Sequence, residues 1–315
     1  MDTSTRRIVR VGRAEDEGST GGGRVLVGIS GAPVAEQRDC LDFAVAEANR
    51  RHADLWLVHG CDPLVTVTAL VPTSTLQKRF RAGREIVRAA VDEVIGDLDP
   101  KRGITTEVAE VSGAQALVDL SVRASLVVCQ RRTVSAARRW HTGSTTSRVC
   151  AQSEAPVAVV TSGAGQRSGS GVVVGVDGHG HSAVAVAAAL VEATLREQEL
   201  TAVHAWEAPG PPGTTGYIPP DHDELEMLSG RAKHLLAAVM AGPCADHDDV
   251  TVHQVAIRGP AAEALLYVSR TAQLLIVGRH AGHGVASLGL GGVARHVLDR
   301  SPCPVIVTPP SRRSR

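Results

Sequence analysis

Short apolar runs alternate with longer stretches of helical spacing along most of the chain. In the second half the runs fall at 171–176, 200–205, 250–256, 273–277 and 303–307, each rich in Val, Ile or Leu. Their brevity and unbroken apolar character predict strands buried on both faces, as in a parallel sheet. Between them, 181–196, 223–241, 260–270 and 291–299 carry the periodicity of amphipathic helices. Asp221, Asp223, Glu224 and Glu226 stand where acidic groups favour a helix start. Five strands joined by four helical crossovers predict a doubly wound α/β sheet with right-handed connections.

The first half repeats this pattern. Arg24-Val-Leu-Val-Gly-Ile-Ser30 parallels Gly171-Val-Val-Val-Gly-Val-Asp177, and Leu55-Trp-Leu-Val-His59 parallels Leu200-Thr-Ala-Val-His204. Ala155-Pro-Val-Ala-Val-Val160 parallels Cys303-Pro-Val-Ile-Val307. The shifts, 147, 145 and 148 residues, are far too long for a solenoid unit and indicate a duplicated domain. The expected organisation is a disordered tail at 1–23, a domain at 24–161, a Gly/Ser-rich linker at 162–170, a domain at 171–309 and a tail at 310–315.

Composition narrows the function. The 33 Lys+Arg balance 33 Asp+Glu, without the basic excess of a general nucleic-acid binder, and aromatic residues are only 2%, too few for base-stacking platforms. No run of about 18 uncharged apolar residues suggests a membrane span. The six cysteines are scattered without a C-x-x-C pair, and the N-terminal residues lack the apolar stretch of a secretory signal. Reduced thiols and a cytoplasmic location are the expectation.

Chemistry is expected at the carboxyl ends of the strands, where an open parallel sheet binds ligands. In the second copy these ends are Asp177, His204-Ala205 and Val277-Gly278. A glycine-rich segment, 278–292, follows the fourth strand and leads into a helix, a combination that offers backbone N–H groups to a phosphate. No Gly-Lys dipeptide occurs, so a Walker A loop is absent. Gly289-x-Gly291-x-x-Ala294 mimics a dinucleotide fingerprint but begins eleven residues after the strand, outside the required strand–turn–helix context.

Taken together, Val174-Gly-Val-Asp-Gly178, Val203-His-Ala-Trp206, the spaced glycines after the fourth strand and Pro302-Cys-Pro-Val305 resemble the universal stress proteins. The resemblance spans 24–161 and 171–309 and implies a tandem, two-domain member. It implies an adenine nucleotide such as ATP bound by the second copy: Asp177 facing the adenine with Gly175, Val176 and Ala205 beside it, Val277 and Gly278 near the ribose. Ala281, Gly291, Gly292 and Val293 would line the phosphate turn. The family pattern G-x2-G-x9-G-[S/T] reads here Gly278-x2-Ala281-x9-Gly291-Gly292; alanine disfavours a positive-φ turn, and Gly292 lacks a hydroxyl.

In the first copy Ser30 replaces the aspartate and Cys129 the first glycine, while Gly143-Ser144-Thr145 keeps the phosphate end. Arg131 and Arg132, with Arg138, Arg139 and Arg148 nearby, make an altered anion site one expectation and a solvated arginine-rich loop the other. The region between Gly113 and Val128 is three residues shorter than that from Gly259 to Val277.

Other signals point away from chemistry. His179, His181, His280 and His283 would gather at the ligand end, yet flexible polar loops explain them without a metal. Arginines beside Cys129 would lower its pKa; alternatively, it is a small buried residue. His59 and His204 at matching positions read as structural, and Ser30 lacks a nucleophile elbow. The resulting expectation is a stress-response binding or regulatory protein without catalytic residues, partnered by an unknown regulatory protein. Its copies would pair as a pseudo-dimer through 156–161 and 303–307. The alternatives are a nucleotide-free interaction scaffold and an ATP-dependent enzyme of the related adenine-nucleotide α-hydrolase-like group.

Overall fold

The computed structural model describes residues 8–10, 23–61, 73–131, 145–163, 169–178, 182–208, 220–279 and 289–311. Two compact units divide the chain, Met1–Gln166 and Arg167–Arg315.

The first unit runs β1 (Ile8–Arg10), β2 (Arg24–Gly28), a 3-10 turn (Val34–Gln37), α1 (Arg38–Arg50), β3 (Asp54–Gly60), α2 (Thr73–Val94) and β4 (Ile104–Ala109). It continues with α3 (Gly113–Ser121), β5 (Leu126–Arg131), α4 (Thr145–Gln152) and β6 (Val157–Thr161). Its strands lie in the order β1-β4-β3-β2-β5-β6. All neighbours are parallel except β1, which pairs antiparallel with β4, Ile8 opposite Ala109 and Arg10 opposite Glu107. Residues 8–10 therefore correct the expectation of a wholly disordered tail at 1–23. Three residues of Ile-Val-Arg are too short to register as a strand by periodicity; the ready edge of β4 supplies the backbone partners.

The second unit runs β7 (Val172–Gly175), α5 (Ala183–Arg196), β8 (Leu200–Trp206), α6 (His222–Ala245), β9 (Val252–Arg258), α7 (Ala261–Val268), β10 (Leu274–Gly278), α8 (Gly292–Arg300) and β11 (Val305–Thr308). Its parallel order is β11-β10-β7-β8-β9. The chain steps outward from β7 through β8 to β9 and then returns to β10 on the other side of β7. The β7/β10 gap is thus the topological switch point.

Val25, Leu26 and Val27 of β2 and Leu274, Leu275 and Ile276 of β10 are wholly buried, consecutive residues that point to opposite faces. Helices on both faces cover them, each large aliphatic side chain contributing about 1.5–3 kcal/mol of transfer free energy. Local signals agree with the packing. Asp221 caps α6 by accepting from Glu224 N–H, and the Glu224 side chain accepts from Asp221 N–H in return. On α1, Glu47 is fully buried and paired by Arg50 and Arg51; at the matching place on α5, Glu192 is paired by Arg196. Burial costs such charges heavily, and the i,i+4 guanidinium offsets that cost. Among the described residues, no helix is long and apolar enough to cross a membrane.

Candidate functional site

A cavity of about 260 Å³ opens at the β7/β10 gap of the second unit. The end of β7 supplies Gly175, followed by Val176 and Asp177; β8 supplies Val203 and Ala205; β10 supplies Val277 and Gly278. Gly291, Gly292, Val293 and Ala294 close one side, at the start of α8, and Ala261 and Leu265 of α7 another. Of the positions expected from the sequence, Gly175, Val176, Asp177, Ala205, Val277, Gly278, Gly291, Gly292 and Val293 converge here. Ala281 lies outside the described residues.

Each wall has a local cause. At Gly175 an added Cβ would come within 3.1 Å of Leu265 Cδ1, so the glycine admits α7 to the sheet. Gly178 takes φ +75°, a left-handed turn that bends the chain away after Asp177, and any Cβ there would strike Leu235 at 2.6 Å. Ser182, immediately before α5, is 4% exposed and does not cap its helix. Its Oγ instead accepts from Asp177 N–H at 2.7 Å and donates to Asp177 Oδ1 at 2.6 Å, holding that carboxylate on the cavity wall. On the far side, Gly291 precedes α8 with no side-chain cap. Among the described residues no side chain caps the first N–H groups of that helix, an arrangement suited to an anion.

Ser182, Val203, Ala261, Leu265 and Ala294 line the cavity beyond the residues the sequence singled out. Ser182 carried a readable signal, a serine at the start of the helical spacing of 181–196. Ala261 and Leu265 are one turn apart on α7, and only the tertiary fold shows that their face meets the strand ends.

The first unit handles the same place differently. Ser30 stands at the Asp177 position, and Gln37, immediately before α1, stands at that of Ser182. Gln37 is 4% exposed; its Oε1 accepts from Ser30 N–H at 2.8 Å and its Nε2 donates to Ala32 O at 2.8 Å. A carboxamide satisfied by backbone has replaced a held carboxylate. The shortened third crossover also pulls α3 inward. A Cβ on Gly60, counterpart of Ala205, would lie 2.3 Å from Gly113 N. Likewise a Cβ on Gly28, counterpart of Gly175, would lie 2.7 Å from Leu117 Cδ1.

The proposed anion residues are only partly described. Arg131 ends β5 and Thr145 begins α4, while Arg132, Gly143 and Ser144 lie outside the described residues, as do Arg138 and Arg139. Arg148 bonds Gln115 of α3 and, at 3.4 Å, Gln152 of its own helix. Cys129 is the small buried residue of the second reading, not the low-pKa thiol of the first: it is 4% exposed, and burial pushes its thiol up to about 12. Cys40 is shifted upward by the same cause, with the neighbouring Cys129 adding to it. His59 Nδ1 donates to Ile29 O at 2.9 Å and His204 Nδ1 to Val176 O at 2.8 Å, the same strand-to-strand tie in both copies. His179, His181, His280 and His283 lie outside the described residues; no group of three His, Cys, Asp or Glu that could hold a metal occurs among the described ones.

Comparison with known proteins gives a consistent answer. A universal stress protein of Mycolicibacterium smegmatis is 33% identical over 292 residues, covering 91% of this chain and 97% of its own. One from Mycobacterium tuberculosis is 30% identical over 294 residues, covering 90% and 96%. Among solved structures, a universal stress protein from Archaeoglobus fulgidus superposes with a TM-score of 0.63 at 14% identity, covering 91% of this chain and 97% of its own, a likeness of fold. The universal stress protein family matches residues 23–161 and again 171–309. With both copies of the doubly wound sheet matched, the chain belongs to the universal stress protein family as a tandem member.

Proposed function

We propose that the second unit binds an adenine nucleotide, ATP being the form to test first, and that the chain acts as a stress-response binding or regulatory protein rather than as an enzyme. The observation that carries this reading is the cavity at the β7/β10 switch point, with Asp177 fixed on its wall by Ser182. A carboxylate held in one orientation suits the exocyclic amino group of a base, which is a hydrogen-bond donor. The apolar walls, Val176, Val203, Ala205 and Leu265, suit the faces of a ring system. Phosphates would meet the uncapped start of α8, where Gly292 and Val293 present backbone N–H groups.

Isothermal titration of ATP into the full chain tests the proposal. Wild type is expected to bind, and Asp177→Ala to weaken binding about tenfold or more, the cost of losing a charge-assisted hydrogen bond. Wild-type protein that takes up no adenine nucleotide would leave the interaction scaffold as the reading. Steady turnover of ATP with any acceptor would instead favour the enzyme.

A further inference from the structure

A second, larger cavity lies in the first unit, away from the strand ends that line the cavity of the other. It runs between α2 and β4 and measures about 1120 Å³. Along α2 its lining follows a single helical stripe, Arg81, Arg84, Arg88 and Val91, extended by Ile95 one turn on. At 1.5 Å per residue the stripe is about 20 Å long.

The two ends of this stripe differ in character. Arg81, Arg84 and Arg88 are exposed and form no ion pair among the described residues; Glu85 beside them forms none there either. Three guanidinium groups within about 10 Å of helix thus stand unmatched by any described carboxylate. Toward the other end the surface is aliphatic: Val91 and Ile95 (63% exposed) with Leu98 and Ile104, over a floor of Val87 and Val108. The charges at that end are already matched. Arg102 donates to His52 O at 2.7 Å and lies 3.7 Å from Asp99, whose carboxylate accepts from Lys101 N–H at 2.9 Å. An isoleucine so exposed at the apolar end of a trough, with unmatched arginines at the other, is the complement of an amphipathic anion.

We infer that this trough binds a single-chain amphipathic anion of the long-chain fatty acid class. Its carboxylate would sit among Arg81, Arg84 and Arg88 and its chain along Val91, Ile95 and Leu98. The inference is independent of nucleotide binding, since no residue of this trough belongs to the second unit.

Displacement of a fluorescent fatty acid from the full chain by palmitate tests it. Saturable binding at one site per chain is expected. The variant R81Q/R84Q/R88Q is expected to weaken binding at least tenfold, and I95D to do so independently by placing a carboxylate along the chain path. All four positions are exposed, so circular dichroism should show both variants folded. Butyrate should fail to compete, since it lacks the chain. The inference is overturned by folded wild type that shows no saturable binding, by binding that neither variant alters, or by butyrate competing as well as palmitate. Binding to anionic phosphatidylglycerol vesicles without binding to monomeric palmitate would overturn it in favour of a membrane surface.

Discussion

Asp177 and Ser182 form the smallest unit with functional content. The aspartate was legible from the sequence because it ends an apolar run at a strand terminus; the serine was legible as a helix-start residue but not as the aspartate's partner, which is fixed only when the chain turns at Gly178. If Ser182 orients the carboxylate, Ser182→Ala should weaken ATP several-fold in titration while leaving the fold intact. Gly292 offers the opposite test. It lacks the hydroxyl found in the family pattern, yet a Cβ there meets nothing within 4 Å among the described residues. Gly292→Ser is therefore expected to strengthen ATP binding by up to about tenfold, the value of one hydrogen bond to a charged group. At Cys129 the sequence offered two readings, a thiolate beside arginines or a small buried residue, and β5 buries the sulfur, as the second has it. Because its pKa is raised, the group stays a neutral thiol at neutral pH, and the thiolate needed for attack is scarce. Native protein treated with a thiol reagent at pH 8 should spare Cys40 and Cys129, as peptide mass spectrometry would show, and label them only after unfolding.

Among elements, those with strong periodicity were readable and those made by neighbours were not. The strands expected at 200–205 and 273–277 appear as Leu200–Trp206 and Leu274–Gly278, and the acidic cluster at 221–226 marks a true capping box. β1 escaped because its partner, the edge of β4, is remote in sequence. The helix ends hold a further detail. Both α1 and α5 are followed by a non-glycine residue in the left-handed region, His52 and Glu197, each at φ 52°. Glu197→Gly should remove that strain and raise the stability of the second unit by about 0.5–1 kcal/mol, measured by urea unfolding. The β3–α3 junction predicts the reverse. Gly60→Ala would drive a methyl group into the backbone of Gly113, and a loss of about 2–3 kcal/mol from the first unit is expected in the same assay.

On the scale of the molecule, duplication was the most legible property, since the same apolar runs recur at nearly constant spacing. How differently the two copies build the strand-end site was only half legible. Substitutions at Ser30 and Cys129 could be read, but the inward position of α3 and the backbone-bound Gln37 are properties of packing. Titration should consequently give one nucleotide per chain, not two. A stoichiometry of two would mean that the first unit opens despite Gln37.

The tight seat of α3 also bears on how easily the copies could become alike again. Single-codon changes can restore an aspartate at position 30 or a glycine at position 129, yet neither lengthens the crossover that holds Gly113 against Gly60. A first copy carrying Ser30→Asp and Cys129→Gly should stay blind to ATP, and residues would have to be inserted before α3 to change that. Insertions that keep the reading frame arise far more rarely than base changes. The first copy is thereby released from its sister's constraints, and its surface is free to follow a separate history.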